Sequence, residues 1–296
     1  MAITRVTQNM MTQQSVGSLQ TALGRLARTQ EQLSTGRVLN RPSDSPTDTT
    51  MAMRIRTSLT EQRQFTRNAE DGVGWLGTIE ATLSSMTDQL RRARELTLQG
   101  ANSGAMSATA REALAVEMDQ IRESLVGAAN TTRLGRPVFG GVTAGDAAYD
   151  AAGTYVGVPG EIRRTVSDGV RVAVNVDGPA VFGPTGDSVF DHLTAAAAAL
   201  RAGDAAAVST GLANLGGDLD RITSTLADVG TRYARLEKAT QAAADRVLAL
   251  TTSLSTIENT DLPRAMVDLQ LQEVAYQASL AATARVMQPS LVDFLR

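Results

Sequence analysis

The sequence predicts a mainly α protein: an elongated helical bundle or coiled coil built from both chain ends, with a small β-rich insertion in the middle. Three observations predict it. An apolar seam runs from Val208 to Ile257 in alternating steps of four and three, for seven heptads. Proline is absent between Pro46 and Pro137 and again between Pro184 and Pro263, so two long intervals lack the residue that most strongly breaks a helix. By contrast, Gly135 to Gly186 holds 11 of the 25 glycines and 4 of the 8 prolines, and five of the ten aromatics fall between Phe139 and Phe190. Turns and strands belong there.

Near the start, Val16, Leu19, Leu23, Leu26 and Leu33 mark one stripe, interrupted by Gln30. Residues 1–44 read as an N-terminal assembly helix that pairs with residues 260–296. Next, Leu76, Ile79, Leu83, Met86, Leu90 and Ala93 step by three and four, as do Leu114, Met118, Ile121, Leu125 and Ala128. Residues 45–136 are therefore the first part of a helical domain, an antiparallel pair turning within Gly100–Ser107. Residues 137–187 form the β-rich insertion. Strands are expected at Thr154–Val156, Glu161–Val166 and Gly169–Val176, with a turn at Ser167-Asp168-Gly169.

Helix resumes after a cap at Asp187 or Ser188, and residues 188–259 supply the second part of the helical domain. As one continuous helix the seam would reach roughly 75 Å. Gly211, Gly216, Gly217 and Gly230 are its expected weak points. In the C-terminal assembly helix, residues 260–296, one stripe contains Leu262, Met266, Leu269, Tyr276, Leu280 and Met287. A second contains Val267, Leu271, Val274, Ala278 and Ala281. A helix with two apolar stripes wants neighbours on two sides. Periodicity alone fits both an intramolecular bundle and an assembly rod.

Charge supports pairing of the ends: residues 1–60 carry seven Arg against three acids, and residues 257–296 three Arg against five acids. Exposed pairs of this kind contribute little individually.

Composition narrows the function. The 296 residues carry a net charge of −3 and lack the basic footprint of a nucleic-acid binder. Aromatics are 3% of the chain, too few for a base- or sugar-stacking surface. There is no Cys and one His, so thiolate zinc sites, Cys nucleophiles and most acid-base chemistry are improbable. The N-terminus has no apolar run of secretory-signal length, and the longest plain apolar stretch, Ala195–Leu200, is far too short for a bilayer.

The remaining polar candidates have ordinary readings. His192, beside Asp191 at a helix start, suits a capping or solvent-exposed role. Gly140-Gly141 lacks the Lys and Ser/Thr of a phosphate-cradling loop. Asp44 and Asp48 lack the spacing of a calcium loop, and Ser43, Asp44 or Asp48 suits a helix cap. Asn130-Thr131-Thr132 lies at a helix end, and Arg91, Arg92 and Arg94 lie among acids on a solvated face. No catalytic, cofactor-binding or metal residue is expected.

Leu33 to Pro46, LSTGRVLNRPSDSP, resembles the N-terminal signature of the bacterial flagellin family, through Leu33, Ser34, Thr35, Gly36, Arg37, Asn40, Asp44 and Pro46. Val38, Leu39 and Ser45 replace the usual basic residue, Ile and second Asp. Arg67–Gly72 and Arg94–Asn102 look like the following flagellin helices. Residues 129–141, ANTTRLGRPVFGG, and Ala281–Leu295, AATARVMQPSLVDFL, resemble the hook-associated protein 3 (FlgL-type) branch more than filament flagellin.

The resemblance implies a structural protein of the hook–filament junction. It would self-assemble as a ring or helical array and contact hook-associated protein 1 and flagellin. It would leave the cell by the flagellar type III pathway without a cleaved signal peptide, helped by an export chaperone, and would act outside the cell without inserting in a membrane. The assembly interface expected on this basis comprises Leu19, Leu23, Leu26, Leu33, Gly36, Arg37, Asn40, Leu262, Met266, Leu269, Tyr276, Leu280 and Met287. Filament flagellin is the first alternative, and a soluble coiled-coil adaptor the second.

Overall fold

The structure, a computed structural model, describes residues 8–101, 106–145 and 147–287. Two compact units emerge: Glu61–Val247, and a smaller one made from Met1–Thr60 with Leu248–Arg296. Helices α2 (Pro46–Ala101) and α6 (Ala205–Glu258) contribute residues to both.

In the larger unit, the α2 stripe Leu76, Ile79, Leu83, Met86, Leu90 and Ala93 is fully buried. Along α6, Val208, Leu215, Ile222, Val229, Leu236 and Ala243 are buried every seventh residue. The alternate seam positions Leu212, Leu219, Leu226, Tyr233 and Thr240 are half-buried. The expected glycine breaks do not occur. A helical glycine costs about 1 kcal/mol, whereas each buried seam residue contributes about 1.5–3 kcal/mol, so packing wins. Gly211 is buried where an added Cβ would lie 3.3 Å from the Ala196 Cβ, so it serves close packing. Gly72 does the same on α2, where an added Cβ would stand 2.8 Å from Leu236 Cδ1.

Ser107 caps α3 (Ala108–Ala129), its Oγ accepting from the Ala110 N–H at 3.2 Å. Gly100 and Ala101 prove to be helical, and the rest of the expected turn up to Gly104 and Ala105 lies outside the described residues. Helix α3 buries Leu114, Met118 and Leu125 and packs closely on α5 (Val189–Ala202). On α5, Ala196, Ala197 and Ala199 are buried as well. Helix α5 starts with a capping box between Ser188 and Asp191, and ends at Gly203 with φ 71°.

The insertion contains two hairpins and one short helix. Strands β1 (Thr132–Arg133) and β2 (Arg136–Pro137) pair across Leu134-Gly135, both at positive φ. Strands β3 (Arg163–Ser167) and β4 (Val170–Ala173) pair across Asp168-Gly169, and α4 follows (Gly178–Phe182). The strand expected at Thr154–Val156 is reduced to a single bridge between Tyr149 and Tyr155. A hydrogen bond from the Thr154 N–H to Asp150 Oδ1 at 2.8 Å, with Gly153 at φ 87°, bends the chain there.

So little strand is marginal alone, and the insertion is held by other means. Phe139, Tyr149, Tyr155, Phe182 and Phe190 form one aromatic cluster with centroids 5.1–5.6 Å apart. These are the five aromatics concentrated in that interval of sequence. Asn175 accepts from the Ile162 N–H at 2.7 Å and donates to the carbonyls of Gly141 and Gly160. Asn130, at the end of α3, accepts from the N–H groups of Ala148 and Tyr149 and donates to the Tyr149 carbonyl, each at 2.8 Å. Asn130 thus ends α3 as its C-cap residue, and its side chain clamps the incoming loop.

Candidate assembly interface

The smaller unit pairs α1 (Gln8–Thr35) with α7 (Leu262–Met287). Their antiparallel direction follows from the Thr29 hydroxyl donating to Gln272 Oε1 at 3.1 Å and the Thr260 N–H donating to the Gly36 carbonyl at 3.0 Å. On α1 the sheltered face contains Leu19, Ala22, Leu26, Thr29 and Leu33; on α7 it contains Ala265, Leu269, Gln272, Tyr276, Ser279 and Thr283. Both faces step by three and four. Half of these residues are small or polar, which is why a search for large apolar side chains missed Ala22, Thr29, Ala265, Gln272, Ser279 and Thr283.

The proposed interface residues therefore separate into two sets. Leu19, Leu26, Leu33, Leu269 and Tyr276 are partly covered by the α1–α7 pairing. Leu23, Leu262, Met266 and Leu280 remain exposed, as do Val267, Leu271 and Val274 of the second α7 stripe, at 62–69% for these three. The two sequence stripes of α7 are redistributed accordingly: Leu262, Met266 and Leu280 do not share the buried edge of Leu269 and Tyr276. Met287 ends α7, and its side chain, like the Ser290–Leu295 ending, lies outside what the structure describes.

The loop from α1 to α2 closes the unit at one end. Gly36 adopts φ 69°, Arg37 forms an antiparallel bridge with Asn259, and the Val38 N–H donates to the Glu258 carbonyl at 2.8 Å. Asp44 Oδ2 accepts from the N–H groups of Asn40 and Arg41, while Asn40 Nδ2 donates to the Arg37 carbonyl. The cap of α2 is Ser45, whose Oγ accepts from the Asp48 N–H and donates to the Asp48 carboxylate at 2.7 Å; Ser43 and Asp44 do not cap it. Pro46, with its fixed φ, then fits the first helical position. Arg37, Asn40, Arg41, Thr49, Ala52, Arg56 and Glu258 line a cavity of about 310 Å³ at this loop. Glu258 is buried at the end of α6, where a helix terminus disfavours a carboxylate. Arg56 Nη2 lies 2.8 Å away and compensates it.

His192 is neither a cap nor solvent-exposed. Its side chain is 13% exposed and bridges Asp218 Oδ2 at 2.7 Å and Asp187 Oδ1 at 2.9 Å, joining the start of α5 to α6. Burial opposes its protonation, but Asp218 and then Asp187 outweigh it and hold the imidazole above its ordinary pKa. Burial pushes the Asp218 carboxyl up, against the pull of His192 and Arg221. The nearby Ser188 hydroxyl is engaged with Asp191 at 2.6 Å, so the group is a structural tie. Among the described residues no cluster of His, Cys, Asp or Glu is arranged to hold a metal, and no helix is long and apolar enough to cross a membrane.

The bacterial flagellin N-terminal helical region matches residues 6–143, and the bacterial flagellin C-terminal helical region matches residues 212–295. Flagellar hook-associated protein 3 of Escherichia coli (strain K12) is 26% identical over 94% of this chain and 95% of its own. The crystal structure of Bacillus cereus FlgL superposes with a TM-score of 0.61 at 28% identity, covering 68% of this chain and 99% of that one. The flagellar junction protein FlgL from Legionella pneumophila shares the fold, with a TM-score of 0.59 at 18% identity over 70% of this chain and 99% of its own.

Proposed function

Since the chain belongs to the bacterial flagellin family and is a structural protein of the flagellum of the hook-associated protein 3 type, we propose that it forms the hook–filament junction by self-assembly through its smaller helical unit. Hook-associated protein 1 on one side and the first flagellin subunits on the other are the partners in this reading. Export through the flagellar type III pathway, with a chaperone on the C-terminal helical region, delivers it outside the cell.

One observation carries the assignment of the assembling part. Among the described residues, the smaller unit buries three apolar side chains, Ala52, Leu59 and Ala265, and exposes 13 large ones. The larger unit buries 37 and exposes seven. A soluble monomer rarely shows so much apolar side chain in one part, and surfaces of this kind are interaction sites. Unlike faces on α1 and α7 suit heterologous contacts, which propagate around a ring or along a helical tube.

Filament flagellin is the second reading, because the matching family regions are common to filament and junction subunits. Deleting the gene separates them. Hooks without filaments, with flagellin lost to the medium, are expected. Normal filaments would reject the junction role, and bare hooks with no secreted flagellin would favour the filament subunit.

A further inference from the structure

The cavity beside the α1–α2 loop is positively biased, with three Arg against one carboxylate among walls that also include Leu39, Pro42 and Met53. Arg37, Arg41 and Arg56 line it against a single carboxylate, Glu258, which Arg56 pairs at 2.8 Å. Arg41 reaches Glu31 at 3.4 Å, with 70% of its side chain exposed, whereas the Arg37 guanidinium has no ion pair among the described residues. The Thr49 hydroxyl on the same wall is buried without a hydrogen-bond partner. Among the described residues, the Arg37 guanidinium and the Thr49 hydroxyl are the donors here left without a partner.

Among the described residues of the smaller unit, the carboxylates near this loop are already engaged. Glu31 faces Arg41, Asp44 binds backbone N–H groups of the loop, and Asp48 bonds Ser45. Asp261 caps α7 through the Arg264 N–H. Among the described residues of the unit, the acids with no ion pair or hydrogen bond are Asp268 and Glu273, both exposed on α7 and flanked by Met266, Val267, Leu271 and Val274 of its open apolar face.

We propose that the Arg37–Arg41–Thr49 cavity is a carboxylate-accepting socket for the α7 helix of a second copy of this chain, with Asp268 or Glu273 as the inserted group. The inference rests on the self-assembly reading and adds a register to it. Apolar contact along α7 supplies attraction without direction, and a charge entering a guanidinium-lined socket fixes which position meets which. Because the socket and the acids lie on different elements, each copy can offer its acids to one neighbour and its socket to another, as a heterologous array requires.

A charge-swap cycle in a strain deleted for the gene tests the socket. Arg37→Glu removes no ion pair among the described residues, so it is expected to fold normally. It should reduce filament retention about tenfold. Asp268→Arg with Glu273→Arg should do the same, and all three changes together should recover retention to within a fewfold of the unaltered chain. Unimpaired retention in either reversal alone, or no recovery in the combination, overturns the socket while leaving the junction role intact. Filaments retained by the deletion strain itself would instead overturn the junction role.

Discussion

Replacing Leu271 and Val274 together by Asp places two carboxylates on the exposed face of α7. In the isolated chain these positions are 69% and 66% exposed, so each change costs about 0.5 kcal/mol or less. If a neighbouring subunit covers them, each loses about 1.5–2 kcal/mol of apolar burial and adds a few kcal/mol for an unpaired buried carboxylate. A conservative total of about 4 kcal/mol per contact is roughly a thousandfold in affinity. Circular dichroism of the purified chain should therefore show nearly unchanged helicity and melting, while a deletion strain carrying the variant should shed its filaments. Leu280→Asp, at 43% exposure, should behave similarly. Leu269→Asp should also weaken the α1–α7 pairing within the monomer, because Leu269 is partly covered there. Wild-type filament retention by Leu271→Asp/Val274→Asp would refute the reasoning.

Three further outcomes test the larger unit. Asn130→Ala removes three hydrogen bonds and should cost about 3 kcal/mol, lowering Tm by about 6–12 °C in a calorimetric scan; a drop under about 2 °C contradicts the clamp. Gly141→Ala combines φ 63° with an added Cβ 2.2 Å from the Val158 carbonyl oxygen, and should destabilise by about 2–4 kcal/mol. Gly135→Ala, also at positive φ but in open space, should cost only about 1 kcal/mol, and equal losses would show that the close approach is immaterial. His192, with its folded pKa raised, contributes stability that is fully present below about pH 6.5 and is lost as pH rises through the folded value. The wild-type Tm should thus fall with rising pH relative to His192→Gln, and parallel pH profiles would refute the bridge to Asp218 and Asp187.

The helical body was legible because its burial is strictly periodic. The seam from Val208 to Ala243 and the stripe from Leu76 to Ala93 place large apolar residues at the positions that packing demands. Glycine propensity was the misleading signal, since Gly211 sits inside α6 for close approach to Ala196. The insertion was legible as a region of turns but less so in detail. Asn130 and Asn175 organise it with side-chain hydrogen bonds that carry no periodic signature, and the Asp150 turn overrides the strand preference of Thr154–Val156. The α1–α7 face was half visible. Leucines reported the stripe, but Ala22, Ala265, Ser279 and Thr283 complete it because two helices can approach closely only over small residues. His192 was misread because its partner Asp218 lies 26 residues away, on a different helix.

Where the chain resides on the organelle tests the central claim most directly. The native sequence has no cysteine, so Asp168→Cys, at the exposed tip of the β3–β4 hairpin, supplies a single thiol for a fluorescent maleimide. Labelled living cells should show one fluorescent focus at the base of each filament, where hook and filament meet. Fluorescence along the full filament length would contradict the junction assignment and make the chain a filament subunit.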